Sequence, residues 1–273
     1  MTQGFITVNG ARLWYKESGV SDGHAVKFVH AGICDHRQWD SQMAAFGERY
    51  RVMRFDLRGH GQSELPAGPA SLSDDLGGLL DALDIERSAI IGCSMGGATA
   101  IDFTLKQPAR VAALVLVGSA VSGAAPEIGP GEEAIIAEVA AADASGDDDR
   151  LNAAEVRLFV DGIKRTPEQV APGVRALVAE MNLNNIKRSS EWRQAQPMPL
   201  APPAIGRLGE IHAPTLVVVG GDDTFNVRKL ADTLASEVAG ARKVVMAGLT
   251  HVPNMERPDE FNQAALDFLQ PIW

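Results

Sequence analysis

Short apolar runs recur along this chain, and longer helix-like stretches separate them. The runs are mostly apolar throughout, as strands buried on both faces of a parallel sheet are. They span residues 25–30, 50–56, 88–92, 111–118, 214–221 and 242–248. The N-terminal stretch GFITVNGARLWYKES instead alternates apolar and polar residues around Asn9-Gly10, a two-residue hairpin signal. The pattern predicts an α/β fold, with a doubly wound, mostly parallel sheet and an antiparallel N-terminal hairpin.

The stretches between these runs carry helix signals. Leucines at helical spacing follow Ser73, which we expect to be a helix N-cap. The stretch after residue 95 stops before Pro108, and the last stretch begins with Pro258, in the first-turn position that proline favours. Helices that alternate with strands in this way lie on both faces of a parallel sheet.

The alternation breaks between residues 119 and 209. This segment reads as helices and loops, and it contains no convincing strand. We therefore predict that residues 1–118 and 210–273 form an α/β core domain, and that residues 119–209 form a helical cap, or lid, inserted into it.

Composition limits the partners of the chain. A formal net charge of -10 over 273 residues repels phosphate backbones, which makes nucleic acid an unfavourable partner. No apolar run reaches the roughly 18 residues of a membrane span, and the N-terminus lacks a signal-peptide core. Two cysteines, Cys34 and Cys93, are too few for a disulfide framework and indicate free thiols in a reducing compartment. We expect a cytoplasmic protein with no membrane partner.

Ser94 lies within the G-x-S-x-G pattern GCSMG, between a predicted strand and a predicted helix. A serine on such a tight turn adopts φ > 0, and its neighbours Gly92 and Gly96 must lack side chains because strand and helix crowd together. The same pattern occurs as GVSDG at residues 19–23, but no helix follows it there. We therefore interpret the second copy as a turn, and Ser94 as the candidate nucleophile.

A serine nucleophile needs a base and an acid that orients the base. Asp222 and Asp223 follow the apolar run 214–221, and His251 follows the next run. The order Ser, Asp, His is the one expected when each residue follows a successive strand of this architecture. No metal-ligand spacing such as H-E-x-x-H or a pair of C-x-x-C motifs occurs, so we expect no metal and no cofactor.

Five motifs in order resemble those of α/β-hydrolase fold enzymes over nearly the whole chain. They are HAGICDHRQWD (30–40), FDLRGHGQSE (55–64), GCSMGG (92–97), GGDD (220–223) and GLTHVPNMERPDEFNQAALDFL (248–269). The resemblance implies that Ser94 is the nucleophile, His251 the general base and Asp223, rather than Asp222, the acid. It also implies an oxyanion hole formed by the backbone N–H groups of Met95 and Gly32, with Ile33 as the alternative to Gly32.

The same resemblance assigns roles to the remaining motif residues. It implies that His30 orders the oxyanion loop, that Asp56, Arg58 and His60 brace turns, and that the Cys93 side chain points into the core. His24, His36 and His212 stand outside these constellations, so we expect packing or surface roles for them.

The predicted function is hydrolysis of a carboxylic ester or lactone, because the chain is similar to the enol-lactonase and small-esterase branches. We expect a small to medium, apolar acyl group, bound by Ile33, Met181, Trp192 and Val252. We also expect the protein to be a monomer or a homodimer. One alternative is a carbon–carbon bond hydrolase of ring-cleavage diketones, although those enzymes usually have an aromatic residue soon after the histidine, where this chain has Val252-Pro253. The other is a non-catalytic ligand-binding member of the fold.

Overall fold

A computed structural model describes residues 2–188 and 195–273 of the chain. Its main sheet has eight strands in the order β1-β2-β4-β3-β6-β7-β9-β10. These strands are β1 (Thr2–Val8), β2 (Ala11–Gly19), β3 (Ala25–Val29), β4 (Arg51–Phe55), β6 (Ser88–Cys93), β7 (Val111–Val117), β9 (Thr215–Gly220) and β10 (Arg242–Met246). Each of the six apolar runs therefore contains one strand.

The pairing of the strands confirms the predicted α/β class. β1 and β2 pair antiparallel across the turn at Asn9 and Gly10, whose φ angles of 47° and 80° suit a tight hairpin. β2 also pairs antiparallel with β4. All pairs from β4 to β10 are parallel, so their carboxyl ends meet at one edge of the sheet.

Helices cover both faces of this sheet. The helices outside the 119–209 segment are α1 (Asp40–Gly47), α2 (Leu72–Ala82), α3 (Met95–Lys106), α7 (Phe225–Glu237), α8 (Pro253–Glu256) and α9 (Pro258–Leu269). α2, α3 and α7 bury their apolar residues in one core cluster, and α1 and α9 bury theirs in a second cluster. No helix in the described part of the chain has the length and apolar character needed to cross a membrane.

The structure corrects one helix start. α2 begins at Leu72, and its N-cap is Ser71, whose side chain accepts a hydrogen bond from the N–H of Asp74. The expected N-cap, Ser73, is instead a residue of the helix. Two serines spaced two residues apart give the same local signal, and only the position of the first helical turn separates them.

Among its described residues, the segment 119–209 contains three further α-helices and one strand. The helices are α4 (Glu133–Ser145), α5 (Asp148–Val156) and α6 (Pro172–Ile186), and a π-helical turn, Arg157–Asp161, extends α5. The expectation that the segment has no strand is wrong, because β8 (Ala195–Pro197) pairs in parallel with β5 (Gly68–Ala70). Each of these strands has only three residues, one of which is a proline. Such a strand is too short to show an alternating hydrophobic pattern.

Candidate active site

Ser94 occupies a strained turn between β6 and α3. Its backbone has φ 52° and ψ -113°, a conformation that a non-glycine residue adopts at a cost of about 1–3 kcal/mol. A Cβ on Gly92 would lie 2.4 Å from the carbonyl oxygen of Gly96, and a Cβ on Gly96 would lie 2.2 Å from that of Val29. A Cβ on Gly97 would lie 2.2 Å from Ser119 Oγ. The glycines around Ser94 are therefore needed for the strand and the helix to approach so closely.

The second G-x-S-x-G pattern forms an ordinary turn. Gly19 has φ 91°, and the N–H of Gly23 donates to the carbonyl of Val20 at 3.1 Å. The chain then enters β3 without an intervening helix. Ser21 therefore lacks the strand-turn-helix setting that Ser94 has.

Asp223 and His251 form a buried pair beside Ser94. The Nδ1 atom of His251 lies 2.9 Å from Oδ2 and 3.2 Å from Oδ1 of Asp223. Because a carboxylate only accepts, Nδ1 carries the proton, and the lone pair of the neutral ring is on Nε2. A Cβ on Gly118 would lie 3.2 Å from both side chains, so the end of β7 leaves room for this pair.

Asp222 takes a different part, since its Oδ1 atom lies 2.6 Å from Nζ of Lys164. The structure thus brings Asp223, and not its neighbour, to His251. The loop after β9 places Asp223 inward, where only 4% of its surface is exposed.

Residues from the π-helical turn hold the loop that carries His251. The ring of Phe159 lies 5.0 Å from the His251 ring, and its carbonyl accepts the N–H of His251 at 3.2 Å. The Thr250 hydroxyl donates to the carbonyl of Val160 at 2.7 Å. On the core side, Cys93 Sγ lies 3.6 Å from the His251 carbonyl, and burial raises the pKa of this thiol to about 12. Cys93 is consequently protonated, and its side chain lies in the second core cluster.

The loop after β3 has two N–H groups near Ser94 that donate to no acceptor in the described structure. Within this loop the N–H of Ala31 donates to Gln38 Oε1, and that of Cys34 donates to the carbonyl of Ala31. Gly32 and Ile33 are the residues left between them, and both line the same cavity as Ser94. The N–H of Met95 lies in the first turn of α3, where a helix offers it no acceptor.

His30 holds this loop in place from below. Its Nε2 accepts the N–H of Leu57 at 2.9 Å, which puts the proton on Nδ1, 2.8 Å from the Ala31 carbonyl. Burial lowers the pKa of His30, which favours this neutral form. The side chain is fully buried, so it positions backbone without reaching the cavity.

The cavity above Ser94 has a volume of about 360 Å³ and is lined from both sides. The core contributes one set of residues, and the segment 119–209 contributes the other. The lining residues are Gly32, Ile33, His60, Ser94, Met95 and His251 from the core, and Glu155, Phe159, Asn182, Asn185 and Ile186 from the segment. This volume suits a small ligand.

Two predicted substrate contacts are not on the wall of this cavity. Met181 and Val252 are fully buried in the second core cluster, because each turns toward the helices that cover the sheet. Met181 Sδ accepts the N–H of Asp35 at 3.4 Å. Ile33 does line the cavity, and Trp192 lies outside the described residues.

Polar side chains of the 119–209 segment are the part of the lining that the sequence analysis missed. Glu155, Asn182 and Asn185 face a cavity that was expected to be apolar. They lie within helical stretches rich in alanine, leucine and valine, where no motif separates a lining residue from a surface residue. His60 also lines the cavity, and burial together with the nearby His30 lowers its pKa to about 4, so it is neutral.

Asp35, His36 and Asp56 bring three possible metal-ligand atoms within 4.8 Å of one another. These atoms already have hydrogen-bond or ion-pair partners within the protein. Asp56 Oδ1 lies 2.8 Å from both the N–H and Nδ1 of His36, and Asp56 Oδ2 accepts the N–H of Gln62. Asp35 pairs with Arg37 at 2.7 Å. This cluster braces the loops after β3 and β4, so His36 has a packing role with an unforeseen partner.

Comparison with known proteins places these features in a family. A sequence model of the alpha/beta hydrolase family matches residues 28–264. A 3-oxoadipate enol-lactonase of Acinetobacter baylyi is 26% identical over 271 residues, covering 96% of this chain and 95% of that protein. A 2-hydroxy-6-oxononadienedioate/2-hydroxy-6-oxononatrienedioate hydrolase of Paraburkholderia xenovorans is 32% identical over 225 residues, covering 81% and 76%.

Solved structures agree with this assignment. The crystal structure of an enol-lactonase from Burkholderia xenovorans superposes with a TM-score of 0.79 at 27% identity, covering 98% of this chain and all of that one. The eight-stranded sheet, the order of the motifs and the family match together identify the family. The chain belongs to the alpha/beta hydrolase family, and it is a hydrolase of that fold.

Proposed function

We propose that this protein is a serine hydrolase that cleaves a carboxylic ester or lactone through an acyl-enzyme on Ser94. Ser94, His251 and Asp223 are its catalytic residues in this proposal. The observation that carries it is the convergence of three strand ends: a strained serine and a histidine line one cavity, and a buried carboxylate binds the histidine at 2.9 Å.

The geometry supports a two-step acyl transfer. Ser94 Oγ attacks the substrate carbonyl while His251 Nε2 accepts the hydroxyl proton, and Asp223 stabilises the resulting imidazolium. The N–H groups of Met95 and of Gly32 or Ile33 stabilise the oxyanion, at roughly 3–4 kcal/mol for each donor. The alcohol oxygen of the substrate leaves with the proton from His251. Water then attacks the acyl-enzyme while His251 accepts its proton, and His251 returns that proton to Ser94 Oγ as the acid is released. All of these groups come from the protein, so the proposed reaction needs no cofactor.

Two variants and a covalent probe test this proposal. A fluorophosphonate probe should label the folded wild-type protein and not Ser94→Ala, and Ser94→Ala should lose hydrolysis of p-nitrophenyl butyrate. Ser21→Ala is the matched control, because Ser21 lies in the other G-x-S-x-G pattern and should keep full labelling and activity. An unlabelled wild-type protein would favour the ligand-binding alternative, and full activity in Ser94→Ala would refute the nucleophile.

A carbon–carbon bond hydrolase is the second candidate. The observation in its favour is the 32% identity to a hydrolase whose name denotes a ring-cleavage product. Against it, Val252 and Pro253 follow His251 where those enzymes usually have an aromatic residue. Turnover of a 2-hydroxy-6-oxo-diene acid, measured by the loss of its visible absorbance, should be much slower than ester hydrolysis. A faster turnover of this acid than of the ester would make carbon–carbon bond hydrolysis the main activity.

A further inference from the structure

The segment 119–209 places a carboxyl group in the wall of the cavity opposite the core residues. Glu155 is near the end of α5, two residues before the π-helical turn begins and about one turn before Phe159. Both residues line the cavity that contains Ser94 and His251. An acidic group therefore shares a space of about 360 Å³ with the bound substrate.

No cation of the described lining neutralises this carboxyl. The lining residues within 2–188 and 195–273 include no lysine or arginine, and His60 is kept neutral by its low pKa of about 4. Glu155 instead contacts an amide, since its Oε2 accepts a hydrogen bond from Asn182 Nδ2 at 2.8 Å. Burial raises the pKa of Glu155, and the charge of Asp143 acts in the same direction.

Asn182 is oriented by a second acceptor. Its Nδ2 atom also donates to Asn152 Oδ1 at 3.1 Å, and only 3% of its surface is exposed. The amide therefore fixes one oxygen of Glu155 while the carboxyl borders the cavity. In its ionised form, a carboxyl held in a partly desolvated wall repels an anion and attracts a hydrogen-bond donor or a cation.

We infer that Glu155 selects against substrates with a carboxylate in the acyl part, and in favour of acyl groups that are neutral or carry a hydrogen-bond donor or positive charge. This inference rests on the proposed function and narrows its substrate class. It separates the protein from the relatives whose names denote carboxylates, an oxoadipate and a dienedioate. Glu155 is a specificity residue in this view, and takes no part in the bond-making steps.

The test compares three p-nitrophenyl esters of matched length at pH 8. They are the neutral hexanoate, the anionic monoester of adipic acid and the cationic 5-(trimethylammonio)pentanoate. The wild-type protein should hydrolyse the anionic ester with a kcat/KM at least tenfold below that of the hexanoate. Glu155→Gln keeps an acceptor for Asn182, and should reduce the ratio of cationic to anionic kcat/KM at least tenfold.

Glu138→Gln is the matched control, because it removes the same charge from an exposed position on α4. It should leave the ratio unchanged, which excludes an effect of net charge alone. An unchanged ratio in Glu155→Gln, or a wild-type preference for the anionic ester, would overturn the inference while the proposed function stands. If the wild-type protein hydrolyses none of the three esters, the proposed function fails and the inference fails with it.

Discussion

Lys27 is a buried lysine in the centre of the main sheet. It lies on β3 between Met53 of β4 and Ile90 of β6, and none of its surface is exposed. Its Nζ atom has no hydrogen-bond partner within the described structure. Burial, the largest cause, lowers the pKa of Lys27 from 10.5 to about 7 against the opposing effect of Glu17. We predict that Lys27→Met stabilises the protein, because the thioether fills a similar volume without a charge.

The size of the effect depends on pH. Between pH 7 and 10.5 the unfolded chain binds more protons at Lys27 than the folded protein does, so raising the pH stabilises the fold. Each tenfold difference in proton affinity is worth about 1.4 kcal/mol. The wild-type lysine thus costs about 4 kcal/mol at pH 7 and about 1 kcal/mol at pH 10. Lys27→Met should gain most of the first amount at pH 7 and little at pH 10.

Urea unfolding of both proteins at pH 7 and pH 10 measures this difference. Lys229→Met is the control, since Lys229 is exposed on α7 and should change the unfolding free energy by about 0.5 kcal/mol or less at either pH. An equal gain for Lys27→Met at both pH values would show that packing, and not proton binding, sets its stability. A loss of stability at pH 7 would refute the argument from desolvation.

Three further predictions concern catalysis. Asp223→Asn should lower kcat for p-nitrophenyl butyrate by about 10³-fold or more, because an amide no longer fixes the His251 tautomer. Asp222→Asn should lower kcat by less than about tenfold, and the reverse ranking would make Asp222 the acid. Asn185→Leu should lower kcat about tenfold with a smaller change in KM, because Asn185 Nδ2 donates to the carbonyls of Gly32 and Cys34 at 3.3 and 2.8 Å. An unchanged kcat would show that the loop after β3 keeps its conformation without these hydrogen bonds. Arg165→Met should lower kcat and the melting temperature together, since it removes the partly buried ion pair with Glu256 and the hydrogen bond to Thr250. Labelling of Ser94 at the wild-type rate would contradict this.

The residues proposed for the chemistry could be predicted from sequence because each follows a strand. Ser94, Asp223 and His251 come after β6, β9 and β10, and parallel strands bring their carboxyl ends to one edge. A motif match alone did not suffice, since Ser21 lies in the same pattern as Ser94. The strand and helix around the serine separated the two, and those elements are visible as hydrophobic periodicity. Placement by topology thus needs no knowledge of side-chain packing.

The cavity wall could not be predicted in the same way. Met181 and Ile186 are five residues apart on α6 and equally apolar, yet only Ile186 lines the cavity. The difference depends on how α6 packs on α5 and on the core, which periodicity does not specify. Helical spacing identifies a buried face, but a face buried against a neighbour and a face turned to a cavity carry the same residues.

The segment 119–209 contacts three core loops near the groups proposed for catalysis. Asn185 donates to carbonyls of the loop after β3, Lys164 pairs with Asp222 next to Asp223, and the Phe159 carbonyl accepts the N–H of His251. A segment that only covered the substrate would need none of these bonds. Since they end on the loops that position the reacting atoms, substitutions here should alter kcat as well as KM. The part of the chain with the weakest sequence pattern therefore contributes both to the cavity wall and to the positions of the loops around it.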